Sequence, residues 1–172
     1  MKLDARIQKI ATGMSVSDAI ESYLATSPDA APASPVEQVN GELIAIVEVM
    51  FLMAAVDGEI SNEELAELRA SVEALRDMQA LDAKTLDRTL EELGDLLARE
   101  GWSARLASAA SRIRAPEARG FAFQLAAGVA FVDDFVAHAE AAAIDTLAKA
   151  LELDPSESQR LLREVHLAIF GD

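Results

Sequence analysis

Cysteine is absent from the 172-residue chain, which excludes structural disulfides, thiolate zinc sites, iron–sulfur clusters and thiol nucleophiles. Aromatic residues are sparse, at 5% with a single Trp, and Gly and Pro together number 13. Val, Ile and Thr add up to only 25, against 34 Ala and 21 Leu. That mix withholds the residues a sheet prefers and supplies those a helix prefers, so an all-α fold is expected. Basic residues are scarce as well: 15 Lys and Arg against 30 Asp and Glu give a formal net charge of −15. A surface of that sign repels phosphate backbones and anionic headgroups, which argues against nucleic acid as a partner. The longest apolar stretches, Leu43 to Val56 and Phe121 to Val132, are broken by Glu48 and Gln124. Both fall short of the roughly 20 residues a bilayer span needs, so they are predicted to be buried central helices. The charged start from Met1 to Ile10 offers no secretory apolar region, and a cytoplasmic location is expected.

What is present is organised by helical spacing. Leu3, Ile7, Ile10 and Met14, then Val16, Ile20 and Leu24, recur every three or four residues and predict short amphipathic helices within 1–25. Three prolines between Ser27 and Val36 make 26–35 an extended linker. The main domain is expected over 36–172, with helices near 36–57, 61–78, 82–99, 103–114, 116–133, 137–152 and 155–170. Pro116 suits a first helical position, and Asp154 caps the helix that Pro155 opens.

Sliding the chain along itself finds matches at an offset of 76: Asp57 on Asp133, Glu64 on Glu140, Val56 on Val132, Leu75 on Leu151, and Glu48 on Gln124. In an Ala- and Leu-rich chain, chance apolar matches are common. The acidic pairs and shared helix boundaries carry the expectation of two related multi-helix units.

The first unit holds Asp57-Gly58-Glu59-Ile60-Ser61-Asn62-Glu63-Glu64 between two helices. One reading is purely structural: Gly58 breaks the first helix, and Ser61 with Glu64 forms a capping box for the next. Two features count against that reading as the whole account. Asp57 ends a helix, where the macrodipole disfavours an exposed carboxylate by roughly 0.3–1 kcal/mol and a cation would reverse the sign. At the offset, Ala137 replaces Ser61 while Glu140 keeps the place of Glu64, so capping does not account for both glutamates. In the functional reading, Asp57, Glu64, Asp133 and Glu140 converge, with Glu59 and Asp134 nearby, and bind a divalent ion that relieves their repulsion. Oxygen-only ligands favour calcium, magnesium or manganese. The pattern argues against an EF-hand: Asp57-Gly58 through Glu64 matches the second half of its loop, but the first two ligand positions fall on Met53 and Ala55.

The run Met53-Ala54-Ala55-Val56-Asp57-Gly58-Glu59-Ile60-Ser61-Asn62-Glu63-Glu64-Leu65 resembles the signature of the TerB-like family associated with tellurite resistance. The likeness continues more weakly through Ala130 to Leu151 and covers about residues 36–172. It implies an all-helical fold and two acidic elbows that bind metal, carried here by Asp57, Glu64, Asp133 and Glu140. The second elbow departs from the pattern, with Asp134-Phe135 where the family has Gly and an acidic residue.

Other residues are weaker signals. His138 lies close in sequence to Asp134 and Glu140 as a further ligand or a solvated group, and His166 suits a helix C-terminus. The Glu-x-x-His pattern of di-iron bundles is missing, since position 163 is Arg and position 135 is Phe. Arg99, Arg105, Arg112, Arg114 and Arg119 form a basic stretch over 99–119, either a salt-bridged face or a docking patch. Trp102 suits a packing anchor. With no phosphate loop or nucleophile constellation, the expectation is a non-enzymatic, metal-binding stress protein. The alternative is a metal-free adaptor that docks a partner through its acidic surface and residues 1–35. A metal-assisted hydrolase ranks third because no nucleophile can be named.

Overall fold

The computed structural model describes residues 3–11, 35–73, 83–132, 135–136 and 138–171. Among them are eight helices: α1 (Leu3–Ile10), α2 (Pro35–Ala54), α3 (Asn62–Glu73), α4 (Ala83–Glu100), α5 (Trp102–Arg112), α6 (Pro116–Ala130), α7 (His138–Ala150) and α8 (Pro155–Phe170). Pro opens α2, α6 and α8, where its missing N–H belongs to a group the helix leaves unpaired in any case. Asp154 caps α8 by accepting the Glu157 N–H at 2.9 Å. Among the described residues the fold is all-α apart from a two-residue antiparallel ladder, β1 (Phe131–Val132) with β2 (Phe135–Val136), in which Phe131 faces Val136.

The centre consists of α2 and α6. From Leu43 to Ala55 nearly every side chain of α2 is buried, as it is along α6 from Ala122 to Ala127, the pattern of helices surrounded on all sides. These two helices pack against each other; α5 covers α2, and α7 and α8 cover α6. Phe51, Phe123, Ile46 and Met50 lie at full burial, where truncation to Ala typically costs 2–5 kcal/mol.

The N-terminal helix joins this core. Leu3 and Ile7 are buried, and α1 packs on α3, α6 and α8. Its approach to α6 needs Gly128: a Cβ there would stand 2.3 Å from Ile10 Cδ1 and 3.3 Å from Ile7 Cδ1. Lys9 Nζ also donates to the Ile169 carbonyl at 3.0 Å, satisfying an oxygen in the last turn of α8. The remainder of the expected N-terminal segment and linker, 12–34, lies outside the described residues, as does 74–82.

Observed boundaries differ from the expected ones at two places. α2 ends at Ala54, short of residue 57, because Ala55 to Gly58 turn, with Gly58 at φ +94° and its N–H bonded to the Ala55 carbonyl at 2.9 Å. α6 ends at Ala130 rather than near 133, where Phe131 and Val132 favour extended backbone. The ends of α2 and α6 and the starts of α3 and α7 are each 76 residues apart, so these four boundaries keep the offset found in the sequence.

Candidate metal centre

Elbow 1 is the turn from α2 to α3. Asp57, Glu59 and Glu64 are all exposed. Asp57 Oδ1 accepts the Glu59 N–H at 3.4 Å, a weak turn contact. Glu64 Oε2 accepts the Ser61 N–H at 2.8 Å and Ser61 Oγ accepts the Glu64 N–H at 3.2 Å. The capping box is therefore formed in full, and one Glu64 oxygen is committed to it. Ile60 and Leu65, at the two positions of a hydrophobic staple, both pack against the core.

Elbow 2 joins α6 to α7 through β1 and β2. Asp133, Asp134 and Ala137 lie outside the described residues, as does the His138 side chain. Glu140 stands in the first turn of α7. Its Oε2 is buried and has no hydrogen-bond partner among the described residues. The two glutamates matched by the offset are thus used differently: Glu64 turns back to cap its helix, and Glu140 holds an oxygen away from solvent. Among the described residues no three Asp, Glu or His side chains are gathered to hold an ion. Asp57, Glu64 and Glu140 therefore do not form a shared cluster by themselves.

Behind elbow 1 lies a set of groups that sequence reasoning left undecided. Glu48, in the buried run of α2, is 1% exposed. Its Oε1 takes bonds from Arg105 Nε at 2.7 Å and Nη2 at 2.6 Å, and its Oε2 takes one from Arg112. Arg105 also reaches Glu100 at 3.0 Å. Burial works to lower the Arg105 pKa, and the hydrogen bonds it donates to Glu100 and then Glu48, with their charges, overcome it and hold the guanidinium above its ordinary value. One turn along, Trp102 Nε1 donates to the Leu52 carbonyl at 2.7 Å, one of the four that α2 cannot satisfy internally. α5 thus anchors the last two turns before elbow 1.

The basic stretch is accordingly not one patch. Arg105 and Arg112 serve Glu48, while Arg119 bonds the Ile113 carbonyl at 2.9 Å and Glu152 at 2.8 Å. Gln124, matched to Glu48, is half-buried and donates to Glu164 at 3.1 Å. His166 packs edge-on to Phe131 at 5.9 Å and beside Phe170 at 5.3 Å. No helix among the described residues is long and apolar enough to cross a membrane.

A family model described as tellurite resistance protein TerB matches residues 43–163. No curated protein and no solved structure gave a match.

Proposed function

The chain belongs to the TerB family, and on that premise we propose that it is a non-enzymatic protein that binds a divalent cation at its acidic elbows. The observation that carries this reading is Glu140, whose buried Oε2 lacks a partner among the described residues. A carboxylate oxygen removed from water without a hydrogen bond is costly, and a cation offsets that cost. Glu140 with Asp133 and Asp134, adjacent in sequence, would hold the ion at elbow 2. At elbow 1, Asp57, Glu59 and Glu64 are not gathered to hold an ion, so binding there needs them to come together and Glu64 to leave the Ser61 cap. Oxygen donors alone suit calcium, magnesium or manganese. A bound ion would supply positive charge, and the protein's part would be to present carboxylates at the two helix junctions. The place in tellurite resistance rests on the family description.

Thermal melts of metal-free protein with calcium, magnesium or manganese, each reversed by EDTA, test the reading, because an ion that binds only the folded state must raise Tm. Glu140→Gln should lower the response while leaving the ion-free melt unchanged or slightly higher, since it removes a partly desolvated charge. Asp57→Asn should reduce it less. Absence of any shift with all three ions would refute cation binding.

A further inference from the structure

A groove of about 490 Å³ runs between α6 and α8 and ends against Ile10 of α1. Phe121, half-buried, and Leu161 line it with apolar surface, and its size falls in the range of pockets that seat small ligands or single side-chain anchors. Its edges carry Glu117, Glu157 and Glu164 against one cation, Arg160. That cation is already committed: Arg160 pairs with Glu157 at 2.6 Å and with Glu164 on its other side. Gln124 Nε2 fixes the second oxygen of Glu164 at 3.1 Å, so the edge is organised before anything binds.

The sign of the edge follows from these placements. Glu117 and Glu157 stand in the first turns of α6 and α8, where the dipole favours ionised carboxylates. The two helix ends together offset about one unit of negative charge, and Arg160 offsets another. A net negative edge is left around the Phe121 and Leu161 side chains, on a chain whose charge of −15 attracts cationic partners at longer range. Ile10, which closes the groove, and Glu164 on its edge lie outside the residues 43–163 matched to the family.

We propose that this groove docks a short basic amphipathic segment of a partner protein, with an apolar side chain against Phe121 and Leu161 and Lys or Arg beside Glu117 and Glu164. The proposal is independent of cation binding at the elbows. It is tested with the full chain and a fluorescein-labelled amphipathic helical peptide that bears Leu on one face and Lys on its flanks, read by anisotropy. Saturable binding that weakens with salt is expected, and it should fall about tenfold in the Glu117→Lys/Glu164→Lys variant. A peptide with Glu in place of Lys should bind that variant better than the parent. Replacing the peptide's Leu by Ser should abolish binding, and Glu63→Lys/Glu67→Lys on α3 should change it by less than about twofold. Melting curves of both variants check that they fold. Failure to saturate, binding that survives loss of Leu, equal loss from the α3 reversal, or cross-links placing residues 12–34 of the same chain in the groove would each overturn the proposal.

Discussion

Position 48, in α2, is Glu, and position 124, 76 residues on in α6, is Gln. Glu48 lies in the core between two arginines of α5, whereas Gln124 sits half-buried beside an exposed Glu164. The next matched pair differs as much. Leu52 gives its carbonyl to Trp102, and Gly128 gives its empty side-chain space to Ile10 and Ile7. Two helices of like placement, each leading into an elbow, are therefore held by unlike means: α2 by charge and directed hydrogen bonds from α5, α6 by close aliphatic contact with α1. Directed polar anchors fix position sharply and fail badly when one member is lost. Aliphatic anchors depend on volume and on a segment that lies outside the family-matched residues.

That contrast can be broken at several strengths. Arg105→Met should have the largest effect, because Glu48 keeps only Arg112 in the interior; urea unfolding should show a loss of about 3–5 kcal/mol. Gln124→Met should cost under about 0.5 kcal/mol, and equal losses would erase the distinction between α2 and α6. Gly128→Val comes next: its branched side chain meets Ile10, with a stability loss of about 1–3 kcal/mol and faster proteolysis after Lys9. Adding Ile10→Ala should recover part of that loss, whereas a Gly128→Val protein as stable as the parent would show that α1 does not anchor α6. Ser61→Ala should cost about 1 kcal/mol by removing the cap of α3, and Trp102→Phe a similar or smaller amount by leaving the Leu52 carbonyl unpaired. Acid gives the smallest effect. The Glu157 N–H, then the Ser156 hydroxyl, hold the Asp154 carboxylate below its ordinary range. Its contribution to the α8 cap is thus complete above the unfolded value near 4 and is lost as pH falls through the lowered folded value. The Tm gap between parent and Asp154→Ala should narrow from about pH 7 to about pH 2, and a constant gap would remove Asp154 from the acid response.

What sequence reading could reach follows from range. The ends of α8 are readable because Asp154-Pro155 is a local start signal and the apolar spacing runs to Phe170. The capping box of elbow 1 is readable because Ser61 and Glu64 are three residues apart. The partners of Glu48 lie 57 and 64 residues away, and no local pattern tells a buried Glu which arginines will meet it. For the same reason five arginines looked like one stretch, although folding sends Arg105 and Arg112 inward and Arg119 to the turn after α7. Glycine at 128 carried no signal either, because its meaning lies in a helix more than 100 residues earlier. The short β1–β2 ladder was hidden by the alanine-rich helix that precedes it. For the site, the residue types and elbow positions were readable, but the different uses of Glu64 and Glu140 were not, since hydrogen bonding and burial decide them.

The bond from Trp102 to Leu52 gives the molecule an optical label of its own. As the chain's single indole, half-buried and anchored five residues before Asp57, it makes intrinsic fluorescence a local signal from the α2–α5 contact. Emission that shifts before circular dichroism falls during denaturation would place the first opening of the protein at that contact. Emission that lags would place it away from that contact.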